Sequence, residues 1–151
     1  FSCALGPRGA LVALRENGTT LASVDVRIAD TTARHRVVMS RTHNLPPDGG
    51  MLFVFEAERN QPFVMRNMSF PLDIVFVAAN GTITTIHHAP VPAATPGDSL
   101  REYPGRGKWV LEVERGWANR TGVSIGDQLV VPAHVGNESV EASPAVGSAA
   151  T

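Results

Sequence analysis

A single cysteine, Cys3, stands in this 151-residue chain, so no intramolecular disulfide, cysteine-based zinc site or CxxC redox pair can form within it. Three roles stay open for that thiol: an ordinary free or buried side chain, a bridge to another chain, or the lipidation site of a processed lipoprotein. Phe1-Ser2 ahead of it fits the last role poorly. Lysine is equally scarce, with Lys108 alone among 13 basic residues. These meet 14 acidic residues for a net charge of −1, which excludes the electrostatic footprint of a nucleic-acid or anionic-membrane binder. No run approaches about 18 apolar residues, so no segment reads as a membrane-spanning helix. Starting at Phe1 without a basic leader, the sequence reads as a processed or trimmed chain. Glycine-rich phosphate loops, a Gly-x-Ser-x-Gly elbow and RNA-binding aromatic signatures are all missing, and no cofactor is implied. No internal repeat is visible.

What remains is apolar and turn-rich. Hydrophobic residues make up 43% and charged ones 18%, with 14 Gly and 11 Pro. That composition fits one compact globular core with little room for long helices. The fold class expected is mainly β, a β-rich α+β domain: small, compact and barrel-like, built of short strands and hairpins with one or two short helices.

Residues 10–15 and 21–28 flank Glu16-Asn17-Gly18-Thr19 and predict a hairpin. A short helix is expected over 32–40, capped by Asp30 or Thr31, and Leu45-Pro-Pro-Asp-Gly-Gly50 turns the chain. Met51–Phe55 reads as a short strand buried on both faces. A turn at Glu58-Arg59-Asn60 then leads to a second short strand over 62–65. Leu72–Val77 and Thr82–His87 enclose Asn80-Gly81, whose chemistry predicts a two-residue type I′ hairpin turn. Residues 89–106, with four prolines and two glycines, predict a long irregular loop of the kind that carries function. Lys108–Val113 is a strand, Trp117–Thr121 a short helix, Gln128–Val131 a last strand, and 134–151 a flexible tail.

Five of the seven asparagines stand in N-x-[ST] sequons: Asn17, Asn67, Asn80, Asn119 and Asn137. With 20 Ser and Thr in the chain, chance supplies roughly one such triplet. Asn-Gly-Thr is also good turn chemistry, which explains Asn17 and Asn80 without sugar, but it does not explain the others. The excess points to an exported glycoprotein at the cell surface or outside it, with Asn17, Asn80, Asn119 and Asn137 as sugar sites.

Arg66, Asn67 and Asp73 gather a cation, an amide and a carboxyl around one bend, and with His87 they could hold a ligand. The alternative is that Arg66, Asn67 and Asp73 satisfy backbone groups where strands meet. Asn67, used either way, is the sequon least suited to sugar. His87 and His88 are adjacent in a strand and point to opposite faces, so they do not ligate one metal together. His35, His43 and His134 are scattered, and no metal site is expected. Glu112 and Glu114 share one strand face and could act as a pair; a solvated strand edge explains them more simply.

From about residue 24 to 132 the order of motifs resembles the family named domain of unknown function 192. The match runs through Ile28-Ala-Asp30 and Met39-Ser-Arg41, then Leu45–Phe55. It continues with Phe63-Val-Met-Arg-Asn67 and Pro71–Phe76, and ends with Tyr103, Val110-Leu-Glu112, Gly116-Trp117 and Gly126-Asp127. The sequence departs from the family at Val37–Ser40, where a Gly-Leu-Met-Gly run is usual, and at Val64, where Trp is usual. The resemblance implies a small β-rich fold, often exported, with no established activity. It divides the chain into an extension over 1–23, the domain over 24–132 and a tail over 133–151.

The function expected from these readings is that of an exported, N-glycosylated structural or interaction protein rather than an enzyme. It acts through its surface, and self-assembles into a filament or surface layer if the strand within 1–23 adds to a neighbour's sheet. The other reading is a ligand-binding module or enzyme centred on Arg66, Asn67, Asp73 and His87.

Overall fold

The computed structural model describes residues 8–15, 17–29, 48–63, 70–90 and 102–132. The helix expected over 32–40, the strand residues 64–65, most of the 89–106 loop and the tail lie outside these, as do Cys3, Arg66, Asn67, Asn137, His35, His43 and His134.

Among the described residues seven strands form one sheet: β1 (Arg8–Leu14), β2 (Thr20–Ala29), β3 (Gly49–Phe63), β4 (Leu72–Val77), β5 (Ile83–Ala89), β6 (Tyr103–Glu114) and β7 (Gln128–Val130). One short helix, α1 (Trp117–Thr121), follows β6. The order across the sheet is β5-β4-β6-β3-β2-β1-β7, with β2 and β3 parallel and the other pairs antiparallel. The sheet curls until its two edges touch. Thr82 bridges Gln128, and Gly81 O accepts the Leu129 N–H at 2.8 Å while Asp127 O accepts the Ile83 N–H at 2.9 Å. The remainder of β5 is not laddered to β7, so the domain is β-rich and barrel-like without being a closed barrel.

Both predicted hairpins form, and their tips use the same geometry. Gly18 N–H donates to Arg15 O and Gly81 N–H to Ala78 O, each at 2.8 Å, while the N–H of Arg15 or Ala78 donates to the threonine carbonyl beyond the tip. The Asn80-Gly81 turn is therefore longer than the two-residue turn expected. It is a three-residue loop in which Gly81, at φ 92°, takes the left-handed position. Asn17 Oδ1 accepts the Thr19 N–H at 3.0 Å and Asn80 Oδ1 accepts that of Thr82 at 2.9 Å, the local bond that makes asparagine a turn former.

Two expectations fail in β3 and β6. The turn at Glu58–Asn60 does not exist: β3 runs unbroken through it, with an irregularity between Val54 and Arg59 where its pairing to β6 slips. Glu58 is held by cross-strand partners, accepting the Ala79 N–H at 2.7 Å and Arg106 Nε at 2.8 Å. Residues 103–106 likewise belong to β6 rather than to a loop.

The core is split by the sheet. One face buries Leu11, Val24, Val26, Ile28, Leu52, Val75, Val77, Leu111, Val113 and Leu129 with Trp117 from α1. The opposite face, on β3, β4 and β6, buries Met51, Phe53, Phe63, Phe70, Leu72, Ile74, Phe76, Tyr103 and Val110. Fully burying each such side chain stabilises the fold by about 1.5–3 kcal/mol.

Candidate functional site

Strand parity decides which polar side chains can meet, because successive residues point to opposite faces. Asp73 pairs with His88 and Val113, whereas Ile74 pairs with His87 and Glu112. Asp73 and His87 therefore stand on opposite sides of the sheet, and the sequence-based cluster of Arg66, Asn67, Asp73 and His87 does not join these two members. The positions of Arg66 and Asn67 lie outside the described residues.

Asp73 is fully buried, and its carboxyl is consumed by structure. Oδ1 lies 2.7 Å from His88 Nδ1, while Oδ2 accepts the Gly116 and Ala118 N–H groups at 3.2 and 3.0 Å. The first turn of a helix carries orphan N–H donors; here a carboxyl from a distant strand satisfies them. Trp117, between these two donors, is thereby seated in the core, although its indole nitrogen is buried and meets no acceptor among the described residues.

The aromatic face carries the more unusual group. Pairing aligns five residues in one row across five strands: Arg27 on β2, Met51 on β3, Glu112 on β6, Ile74 on β4 and His87 on β5. Glu112 is the middle of that row and only 5% exposed. β6 lies between β3 and β4, so Glu112 is not on a solvated edge as expected, and its sequence neighbour on that face, Glu114, is exposed. The two carboxyls occupy different environments and are no matched pair. Burial pushes the Glu112 carboxyl up to about 8, because a charge loses its hydration there.

Rings extend from the row toward the surface. Phe63 stacks on Phe53 with centroids 5.4 Å apart and meets Phe76 edge-on at 5.7 Å. Phe76 meets His87 at 5.9 Å and His87 meets Tyr103 at 5.4 Å. His87 Nε2 lies 2.6 Å from Pro104 O, which orients the ring at the rim. No group of three or more His, Cys, Asp or Glu able to hold a metal occurs among the described residues.

Fold and site together define a small β-barrel-like domain with one buried carboxyl at the centre of an aromatic sheet face. The chain belongs to the DUF192 family, described as an uncharacterized ACR, whose model matches residues 12–131. That span takes in the end of β1, from Val12, as well as the later motifs. A crystal structure from Sinorhizobium meliloti, provisionally labelled a transcription regulator, is 30% identical with a TM-score of 0.72; the match covers 83% of this chain and 95% of that one. A protein of unknown function from Novosphingobium aromaticivorans is 26% identical with a TM-score of 0.70, over 82% of this chain and 84% of that one. Among curated proteins no sequence matches.

Proposed function

We propose that this chain is an exported, N-glycosylated interaction domain that works by binding at its surface. The observation that carries the reading is the setting of the sequon asparagines. Asn17, Asn80 and Asn119, the three within the described residues, are all exposed. In Asn17 and Asn80 the turn engages the side-chain oxygen, and that bond does not use the amide nitrogen, the atom that carries a sugar. Turn chemistry and glycan attachment are therefore compatible at the same residue rather than alternatives.

Assembly by strand donation draws less support. β1 pairs with β2 along its length and with β7 at Val12–Leu14 of the same chain, so donating it would break two ladders. Charge argues against transferring the regulator label of the Sinorhizobium protein, since 13 basic and 14 acidic residues leave no net attraction for DNA.

The test is direct. The chain, recovered from a secreting host that N-glycosylates, is treated with an amidase that converts sugar-bearing Asn to Asp in ¹⁸O water, and its peptides are weighed. Label at two or more of Asn17, Asn80, Asn119 and Asn137 is expected. Absence of label at all four overturns the reading.

A further inference from the structure

We propose that Glu112 anchors a binding site for a small organic cation, an alkylammonium or a guanidinium, on the aromatic face of β3, β6 and β4. Burying a carboxyl costs several kcal/mol unless a partner compensates it. Among the described residues none does: no hydrogen bond or ion pair meets the Glu112 side chain, and its paired neighbours, Met51 and Ile74, are apolar. Glu112 is nevertheless not wholly sealed. The residue keeps 5% of its surface open. An acid held in this way is a socket for a donor that arrives from outside.

The surroundings select the sign of that donor. Phe53 and Phe76 flank Val110, the next residue on the same face of β6, and Phe63 packs against both rings. Ring faces attract cations, most of all where water is excluded. Among the described residues, the ionisable groups that strand alternation puts on this face are Asp25 and Arg27 on β2, Arg59 on β3, Lys108, Glu112 and Glu114 on β6, His87 on β5, and Tyr103 beside His87. Asp25 and Glu114 are exposed and add negative potential at the rim. Arg27 lies two strands from Glu112, about 10 Å along the row, and interacts within the protein. Arg59 is exposed and Lys108 is engaged by the Phe55 carbonyl at 2.9 Å, so among the described residues the face offers a run of rings and three carboxyls, of which Glu112 is the buried one.

Binding carries a proton signature. With its acidity shifted to about 8, Glu112 is mostly neutral at pH 7, and a cation beside it favours the ionised form. Each cation bound therefore displaces close to one proton.

Isothermal titration of the unglycosylated full chain at pH 7 tests this with butylammonium and methylguanidinium, in phosphate and in MOPS, which differ in ionisation heat. Saturable binding of at least one cation is expected, with about one proton released. Glu112→Gln should weaken it about tenfold or more, the worth of one charge-assisted bond, and abolish the proton release. Glu114→Gln should leave it within about twofold, since an exposed charge contributes little. The wild-type titration stands even if Glu112→Gln folds poorly. No saturable binding of either cation, binding without proton release, or equal affinity in a folded Glu112→Gln overturns the proposal. Because sugar is not needed, these outcomes are independent of whether the sequons are occupied.

Discussion

Asp73 on β4 and His88 on β5 face each other across one ladder rung, with Oδ1 and Nδ1 2.7 Å apart, while the second carboxyl oxygen of Asp73 holds the start of α1. One side chain thus joins a strand pair, a histidine and a helix that begins more than forty residues later.

Asp73→Ala should destabilise the fold by about 3 kcal/mol, because it strands two backbone donors as well as losing the histidine contact. Asp73→Asn, which keeps one acceptor oxygen, should cost less. His88→Ala should cost least, since that ring is 44% exposed and its loss leaves no buried donor unmet. Urea denaturation of the three variants gives the order. Equal losses in all three would contradict the assignment of Asp73 as the helix anchor.

Protonation of Glu112 sets a second prediction. Its acidity is raised from the ordinary 4.5 to about 8 on folding, so between those values the folded chain holds a proton that the unfolded chain has released. The neutral form's advantage is complete below about 4.5 and is lost as the pH rises toward 8. Across that window the stability of wild type relative to Glu112→Gln should fall by about 1.4 kcal/mol per pH unit. Denaturation of both proteins at pH 5.5, 6.5 and 7.5 measures it. A difference independent of pH would mean that the carboxyl is ionised in the fold.

Gly105 lies against the ring of Phe76, and a Cβ built on it would come within 2.4 Å of the ring carbons. Gly105→Ala should cost about 1–3 kcal/mol through overpacking. It should also disturb the contact between Phe76 and His87. Thermal denaturation reads the first effect and the His87 ring shifts in NMR read the second.

At the hairpin tip, Asn80→Asp separates turn from sugar. Aspartate supplies the same oxygen to the Thr82 N–H, so the stability of unglycosylated protein should change by less than about 0.5 kcal/mol, as at most exposed sites. If Asn80 carries sugar as proposed, the same change in protein recovered from a secreting host should remove one glycan's mass. Gly81→Ala does the reverse: it preserves the sequon but strains a residue at φ 92°, and should cost about 1 kcal/mol.

Local features of this fold were legible because local chemistry determines them. Asn-Gly-Thr between alternating strands marks both hairpins, Trp117–Thr121 is framed by glycines, and the short run before Val131 is a strand. What escaped is set by partners far away in the chain. Glu58-Arg59-Asn60 has the composition of a turn, yet β6 pairs alongside it and keeps β3 extended. Glu112 sits in an alternating Val-Leu-Glu-Val-Glu run that reads as an edge strand; only the insertion of β6 between β3 and β4 makes it central. Asp73 and His87 looked like partners because both are polar and share a hairpin, but a one-residue difference in register puts them on opposite faces. The signal that could have separated them was the adjacent histidine: if His88 faces Asp73, His87 cannot.

The seam between the hairpin tip at Gly81–Ile83 and the segment Gly126–Leu129 also dictates a timetable. Its two sides are separated by more than forty residues of chain, and β1 completes its second ladder only when β7 arrives. As the polypeptide emerges from a ribosome or through a membrane pore, β1 and β2 can zip early, as can β4 and β5. Each then waits with an open flank until Leu129 has passed. The curled sheet is thus latched last by three residues near the end of the domain, and a chain stopped just short of them would keep its hairpins but leave those edges exposed to pairing with its neighbours.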